Sequence, residues 1–330
     1  MHTPETPENE KERTRAIEKL GIIYSPSEAR FDRITRLVGR HFDVQTVLVS
    51  FVYKETQWFK SRQGLKVFST QRSLSLCAHA ILQPTALVVE NALLDIRFKD
   101  HPLVLNGPRI RFYAGYPVKN SEGVILGTLC LIDSVPRTFS QDDLNDLRDF
   151  AKLVETEINR PRKANVLSHF IQELSEHQRL LLIDPVVGSW NRRGFESLLG
   201  KEFEHARTKG HRLGLISVKL SSLDLVLGRY GHVRVVDFTK FTAALIRDCL
   251  PSDSSIGSLG ADAFLAVCPD VNERDFNELI VEIKSRFEST TLATQGIKAL
   301  VDVEISALTF SGAELNKTGI EAVDSILMIS

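Results

Sequence analysis

One stretch of ten residues, 258–267, constrains this chain more than any other. Its sequence, Ser-Leu-Gly-Ala-Asp-Ala-Phe-Leu-Ala-Val, places a tight turn at residues 260–263 directly before an apolar run. Such a run is typical of a buried strand, and a turn at a strand end can present a carboxylate to a metal ion or a phosphate. This turn offers only Asp262, whereas metal chemistry based on two carboxylates needs a pair. The function therefore depends on whether the turn is an active site or the remnant of one.

Size and charge narrow the class of protein. A length of 330 residues predicts two domains. Lys plus Arg (41) nearly balance Asp plus Glu (42), so neither nucleic acid nor an anionic membrane is expected as a partner. The four cysteines are far apart, which disfavours a zinc site or a disulfide framework and fits a reducing cytoplasm. The polar start and the lack of a membrane-length apolar run in the sequence predict a cytoplasmic location.

The first half of the chain has the pattern of a mixed α/β domain. Residues 1–12 are rich in Pro and Glu and are expected to be mobile. After a helical pattern, alternating apolar residues predict strands at 44–53, 112–118 and 124–132. Asn-Ser-Glu-Gly at residues 120–123 predicts a hairpin turn between the last two strands. An antiparallel sheet is therefore expected here.

An apolar stripe at helical spacing occupies residues 140–182. Ser140 begins it as an N-cap, Pro161 interrupts it, and the spacing beyond the proline approaches a heptad seam. Two interpretations are open: the helix packs on its own domain, or it is a parallel dimer helix that joins two domains. Because no strand pattern occurs in this range, we expect a connecting and dimerising helix.

Helix and strand patterns alternate in the last part of the chain. The predicted helices are residues 191–209, 235–250 and 275–288, and the predicted strands are residues 213–220, 264–268 and 299–310. Alternation of this kind predicts a sheet with helices on its faces.

This second unit resembles the GGDEF domain, the fold of diguanylate cyclases, over about residues 180–327. Residues 184–195, Asp-Pro-Val-Val-Gly-Ser-Trp-Asn-Arg-Arg-Gly-Phe, are similar to the family's D-P-L-T-G-L-x-N-R-R-x-F, and residues 230–232 are its Y-G-H. The turn is similar to the signature itself. In place of G-G-D-E-F the chain has Gly260, Ala261, Asp262, Ala263 and Phe264.

The first unit resembles a GAF domain over about residues 10–155. The resemblance is carried by Phe-Asp-Arg-Ile at 31–34, Gln-Trp-Phe-Lys-Ser at 57–61, Cys-Ala-His-Ala-Ile at 77–81, Arg-Phe-Tyr-Ala-Gly at 111–115 and Leu-Gly-Thr-Leu-Cys-Leu-Ile-Asp at 126–133. GAF domains of this kind often precede GGDEF domains in bacteria. The resemblance implies dimerisation, and a small-ligand pocket between the sheet and its overlying loops.

The chain departs from the GGDEF family where cyclase chemistry needs particular side chains. In the family, carboxylates hold the metal ions that clamp the GTP triphosphates. The D-x-D positions that supply them fall here on Lys219 and Ser221, and Ala263 replaces the signature Glu. Losing one metal carboxylate costs on the order of 10^3-fold in rate. We therefore expect a catalytically inactive domain without metal, in which Asp262 is a turn residue.

Other functional positions of the family are also replaced. The guanine-contacting positions fall on Leu227, Gly228 and Val236. An alignment shifted by one residue would place Asp237 at the last of these positions. The R-x-x-D product site falls on Pro251 and Ser254, and the sequence ends at Ser330 without the closing A-K-x-x-G-R-N. Retention of Asp184 and of residues 191–193 implies that the fold itself persists.

The first unit offers several candidate ligand-binding side chains on its predicted loop side: Trp58, Arg62, His79, Arg97, Arg109, Arg111 and Tyr113. The arginines suit an anionic ligand, or alternatively pair with Asp95, Asp100 or Glu90. Cys77 and His79 could suggest a thiolate nucleophile, but residues two apart on a helix do not face each other. Cys130 is expected to be a core residue.

The patterns and the two resemblances together imply an α/β (α+β) chain with a GAF domain at residues 13–139, a connecting helix at 140–182 and a GGDEF-type domain with a mostly antiparallel sheet at 183–330. We expect a homodimeric signalling protein whose inactive GGDEF domain contacts a partner cyclase or phosphodiesterase in cyclic di-GMP signalling. No cofactor is expected, and the GAF ligand is not identified by the sequence. Two alternatives are enzymatic: a weak or heterodimer-dependent diguanylate cyclase, and a GAF-based redox enzyme similar to free methionine sulfoxide reductases.

Overall fold

The computed structural model of this chain describes residues 3–160, 165–221, 223–289 and 303–311. The chain divides into two compact units, Met1–Arg162 and Lys163–Ser330. Each unit has its own sheet and its own apolar core. The helices and strands of the first unit are α1 (Glu10–Leu20), α2 (Ala29–His41), β1 (Thr46–Tyr53), β2 (Thr56–Gln63), β3 (Ser69–Gln71), a 3-10 turn (Arg72–Leu74), α3 (Leu76–Ala80), β4 (Leu87–Val89), α4 (Pro102–Leu105), β5 (Phe112–Lys119), β6 (Ile125–Asp133) and α5 (Gln141–Asn159).

The first sheet has the strand order β3-β2-β1-β6-β5-β4, and all its neighbours are antiparallel, which confirms the prediction. Because successive side chains of a strand point to opposite faces, the sheet separates two buried clusters. Val47, Val49 and Phe51 of β1 pack with α1, α2 and α5. Leu48 and Val52 pack on the other face, beneath α3 and the loops around it.

Two local predictions for this sheet have different outcomes. The hairpin turn at residues 120–123 is confirmed: Gly123 has φ 82°, and the Asn120 amide donates to the Val124 carbonyl at 3.1 Å. Strand β2 was not predicted. Its polar Lys60 and Ser61 are buried by contacts with other elements, so no apolar alternation is visible in its sequence.

Helix α1 corrects the prediction of a mobile start for part of residues 1–12, because residues 10–12 are helical. Its Arg13 side chain is 1% exposed. The Arg13 guanidinium donates to the carbonyl oxygens of Ile125, Val52 and Leu126 at 2.7, 3.0 and 3.0 Å. It also pairs with Glu10, which in turn contacts Arg72. The helix is therefore attached to the sheet by a buried polar network.

The second unit contains α6 (Val166–Glu173), α7 (Glu176–Leu181), β7 (Trp190–Asn191), α8 (Arg192–Lys209), β8 (Leu213–Leu220), α9 (Leu223–Tyr230), α10 (His232–Cys249), β9 (Ser255–Ser258), β10 (Ala263–Pro269), α11 (Glu273–Ser289) and β11 (Val303–Phe310). Its sheet has the order β11-β8-β10-β9-β7, parallel only between β7 and β9. The predicted mostly antiparallel sheet is thus confirmed. Residues 299–302 of the predicted last strand lie outside the described residues.

The prediction of a single connecting helix at residues 140–182, interrupted at Pro161, is corrected by the structure, which has three helices in this range. Helix α5 ends at Asn159, and Leu174, between α6 and α7, has extended backbone angles (φ −85°, ψ 133°). The apolar stripe of α5 packs into the first unit's core, whereas Phe170 and Ile171 of α6 pack into the second unit's core. The apolar residues of α5 and α6 follow each other at similar spacing in the sequence and therefore resemble one seam, although each helix packs into a different core.

The opening motif of the second unit has a structural role. The Asp184 carboxylate accepts from the amides of Val186 and Val187 at 2.8 and 3.0 Å. Asn191 caps α8 by accepting from the Gly194 amide at 3.0 Å, and its side-chain amide donates to the Leu181 carbonyl at 2.8 Å. The bond from Gly194 satisfies a backbone amide at the start of α8 that has no partner within the helix, and the others hold the turn and the chain that precede it. The motif therefore fixes how the chain enters the sheet.

Candidate functional site

The turn at residues 260–263 joins two antiparallel strands of the second sheet. The Leu220 amide donates to the Asp262 carbonyl at 2.8 Å, and the Leu259 amide donates to the Ala263 carbonyl at 2.9 Å. The Thr239 hydroxyl of α10 lies 3.2 Å from the Ala261 carbonyl. Backbone bonds thus hold the turn in place while Asp262 is exposed to solvent.

The structure brings the replaced metal positions together at this turn. Ala263 at the start of β10 lies directly opposite Lys219 at the end of β8. On the other side of Lys219 lies Glu304 of β11, whose carboxylate accepts a hydrogen bond from the Ser221 hydroxyl. Within residues 3–160, 165–221, 223–289 and 303–311, no group of three or more His, Cys, Asp or Glu side chains could hold a metal ion.

Glu304 is a carboxylate that the sequence reasoning missed. Only the pairing of β11 with β8 places it at this edge, and a partner 85 residues away cannot be read from local spacing. The edge therefore presents one ammonium group, one exposed aspartate and one hydrogen-bonded glutamate. An ammonium beside the turn repels a divalent cation, so the arrangement is poorly suited to clamping a triphosphate through metal ions.

Apolar side chains stand where guanine contacts are expected. Leu227 and Gly228 lie on α9, a helix that was not predicted, and Leu227 is 46% exposed. Leu225 on the same helix is 75% exposed. On α10, Val236 is half-buried and Asp237 is exposed. Of these positions only Asp237 offers a polar side chain for hydrogen bonding to a base.

The loop before β9, where the product site was expected, lies near a buried glutamate. Pro251 and Ser254 flank Asp253 in this loop, and Glu202 of α8 is 3% exposed. Burial, together with the charge of Asp253, raises the pKa of Glu202 from 4.5 to about 7. The loop therefore places negative charge beside a group that is already unfavourable to ionise.

We expect Glu202→Gln to stabilise the second unit at pH 8 by about 1–2 kcal/mol. A carboxyl group whose pKa is raised in the folded state favours folding at low pH, and this contribution is lost as the pH rises from 4.5 through 7. Urea unfolding at pH 5 and pH 8, followed by Trp190 fluorescence in a Trp58→Phe background, measures the effect. Glu204→Gln, an exposed change on the same helix, is the control and should leave the pH dependence unchanged. If the free energy of unfolding changed equally between pH 5 and pH 8 in the parent and in Glu202→Gln, the raised pKa of Glu202 would be contradicted.

The seven candidate ligand-binding residues of the first unit do not all lie on the loop side of the sheet, which corrects their predicted placement. Trp58 lies on the helix-covered face, with its ring 5.0 Å from Tyr24 and 6.0 Å from Phe68. The Arg62 guanidinium lies 3.3 Å from the centre of the Phe68 ring. Tyr113 is buried on the opposite face of the sheet.

The remaining candidates lie around the loop side, where most have structural partners. Arg97 makes two bonds to Asp95 at 2.9 and 2.6 Å, as the alternative interpretation of the arginines expected. Arg111 donates to the carbonyls of Val104 and Ile110 at 2.8 and 3.1 Å. The His79 ring packs against Phe98 at 5.0 Å, and Arg109 is exposed with φ 62°. The charges of Arg97 and Arg111 thus serve the loop's own structure.

Comparison with known proteins agrees with the two units. Over 309 residues the chain is 28% identical to the cyclic di-GMP phosphodiesterase PA2567 of Pseudomonas aeruginosa, covering 93% of this chain and 49% of that protein. It is 26% identical over 181 residues to the diguanylate cyclase DgcP of Escherichia coli, covering 54% of this chain and 51% of that protein. The chain therefore spans about half the length of these curated relatives.

A solved structure shows a more distant likeness. The coiled coil and GGDEF domain of DgcB from Caulobacter crescentus, in complex with c-di-GMP, is 15% identical, with a TM-score of 0.43 over 49% of this chain and 85% of that one.

No helix in the described part of the chain combines the length and apolar character required to span a bilayer.

Family assignments cover most of the sequence. Residues 26–158 match the family described as "GAF domain", and residues 181–328 match "Diguanylate cyclase, GGDEF domain". The chain therefore contains a GAF domain followed by a GGDEF domain.

Proposed function

We propose that this chain is a cytoplasmic regulatory protein of cyclic di-GMP signalling whose GGDEF domain does not make cyclic di-GMP. The observation that carries the proposal is the placement of Lys219 and Ala263 side by side at the turn. An ammonium and a methyl group occupy the positions at which the resemblance implies metal-binding carboxylates. Without metal ions the developing charge of phosphoryl transfer has little to stabilise it.

The regulatory role is supported by the relatives and by the preserved scaffold. PA2567 is named a phosphodiesterase, and about half of that protein lies outside the match with this chain. DgcP is named a diguanylate cyclase. We propose that this chain, as a homodimer, acts on a separate phosphodiesterase or cyclase, with its GAF domain sensing a small ligand or supporting dimerisation. Exposed Leu225 and Leu227 give the GGDEF domain an apolar surface where guanine contacts are expected.

Incubation of the full chain with GTP and Mg²⁺ or Mn²⁺ should yield cyclic di-GMP at least about 10^3-fold more slowly than a cyclase with an intact signature. Chromatography of the reaction mixture measures the product, and a purified active cyclase is the positive control. Product at ordinary cyclase rates would contradict the proposal and favour the enzymatic alternative.

The alternative of a weak or heterodimer-dependent cyclase predicts a different result in a binding experiment. Calorimetric titration of GTP with Mg²⁺ into the chain and into Asp262→Ala separates the two. Binding that disappears in Asp262→Ala would support a residual metal site at the turn. Equal heats of binding in both proteins would mean that Asp262 does not contribute to GTP or metal binding and is only a turn residue.

A further inference from the structure

Two cysteine side chains meet beneath the loop-covered face of the first sheet. Cys77 comes from α3 and Cys130 from β6, and their sulfur atoms are 3.5 Å apart. Both are buried, with exposures of 2% and 0%. The closing of a disulfide requires a sulfur–sulfur distance of about 2.05 Å, so an approach of about 1.5 Å would join them.

Hydroxyl groups surround this thiol pair. The hydroxyls of Ser50 and Thr128 are 3.1 Å apart in the core of the sheet, and the Tyr113 side chain lies in the same cluster as both cysteines. Gly115 makes room for the tyrosine, because a Cβ at that position would lie 2.2 Å from the Tyr113 hydroxyl oxygen. The sulfur atoms are thus enclosed by groups that can donate hydrogen bonds.

The two thiols are not equivalent. Although burial raises the pKa of Cys77, hydrogen bonding with Cys130, followed by the Ser50 and Thr128 hydroxyls, lowers it. The hydrogen bond with Cys77, followed by burial, raises the pKa of Cys130. Because the thiolate is the nucleophile in cysteine chemistry, the lowered pKa favours Cys77 as the thiol that would attack first.

We propose that Cys77 and Cys130 form a two-electron redox site that reacts with small peroxides and closes to an intramolecular disulfide. The Cys77 thiolate attacks one peroxide oxygen, so that the O–O bond breaks, an S–O bond forms, and the leaving oxygen takes a proton to become water or an alcohol. Cys130 then attacks the Cys77 sulfur, the S–O bond breaks, and the hydroxyl group leaves as water. Two thiols and one peroxide give one disulfide, with the peroxide as the electron acceptor.

The residues that cover the thiol pair limit the size of the peroxide that can reach it. Phe98, Val104 and Ile110 are buried above this face with exposures of 0%, 0% and 3%. The segments that carry them are loops and short helices, which open locally more readily than the sheet beneath. Hydrogen peroxide should therefore react faster than a bulky organic peroxide such as cumene hydroperoxide. This reactivity is independent of whether the GGDEF domain makes cyclic di-GMP.

The test uses the full chain, fully reduced and then treated with hydrogen peroxide, followed by alkylation under denaturing conditions and peptide mass spectrometry. We expect a linked pair of peptides that contain Cys77 and Cys130, with the loss of two hydrogen atoms and reversal by dithiothreitol. In Cys130→Ser, dimedone should trap Cys77 as a sulfenic acid. In Cys77→Ser, oxidation of Cys130 should be slower by at least about ten-fold. Circular dichroism establishes that both variants are folded.

Cys249 provides an internal comparison within the wild-type protein. It is half-buried, and burial raises its pKa to about 11. Faster oxidation of Cys249 than of Cys77, or a linked peptide that appears only in urea, would overturn the proposal. Accumulation of sulfinic acid on Cys77 in the wild type would also overturn it, because Cys130 would then not intercept the sulfenic acid.

Discussion

Replacement of Arg13 by alanine is expected to destabilise the GAF domain by about 3 kcal/mol. The change removes the donor shared by the carbonyls of Val52, Ile125 and Leu126, which are left without that partner. It also removes a cation next to Glu10. Burial opposes ionisation of Glu10, but hydrogen bonds and charge from Arg72 and Arg13 together lower its pKa.

Urea unfolding followed by Trp58 fluorescence, in a Trp190→Phe background, measures this effect, because one of the two tryptophans lies in each unit. Arg15→Ala is the matched control, since it removes the same charge from the exposed side of α1. We expect Arg15→Ala to change the free energy of unfolding by less than about 0.5 kcal/mol. Equal effects of the two variants would show that the buried network does not hold α1 on the sheet.

Replacement of Gly127 by alanine is expected to cost about 3 kcal/mol or to prevent folding of the GAF domain. Gly127 on β6 lies opposite Phe51 on β1. A Cβ at Gly127 would lie 1.8 Å from the Ser50 carbonyl oxygen and 2.8 Å from the Phe51 Cα. Both obstacles are backbone atoms, so relief requires the central strand pair to separate.

Gly39→Ala on α2 is the control for crowding. A Cβ there would lie 2.5 Å from the Gln63 Oε1, the end of a flexible side chain that can turn away. Alanine also favours a helix over glycine by about 1 kcal/mol, so the net change should be close to zero. The same fluorescence experiment measures both variants, and a Gly127→Ala protein as stable as Gly39→Ala would contradict the close approach of β6 to β1.

The local sequence was sufficient to predict a strand, helix or turn wherever its own residues carry the characteristic pattern. The β5–β6 hairpin was predicted because Gly123 and Asn120 supply a turn between two apolar runs. The helix predicted at residues 191–209 is observed as α8 (Arg192–Lys209), with Asn191 as its cap. Strand β2 and helix α9 were missed, because the first buries polar Lys60 and the second exposes apolar Leu225. In both, contacts with other elements decide burial, so the sequence pattern is misleading.

The candidate sites show the same division. Resemblance indicated that Lys219, Ser221 and Ala263 stand at functional positions, and the strand register places Ala263 opposite Lys219. It did not indicate Glu304, which reaches the same edge only through β11. Nor did it indicate that Trp58 and Tyr113 lie on opposite faces of the first sheet. Faces of a strand alternate with each residue, so a bulge such as the one between Val49 and Ser50 changes which side chains meet.

The amino-acid sequence was enough to indicate the two domain types, through their resemblance to known families, and several strands, helices and turns, through local periodicity and turn residues. Each of these signals extends over a few residues. The folded chain was needed to show that the apolar stripe at 140–182 serves two separate cores, and that Cys77 and Cys130, 53 residues apart, have their sulfur atoms in contact. Both depend on which elements pack together, and packing is a property of distant residues that no local pattern contains.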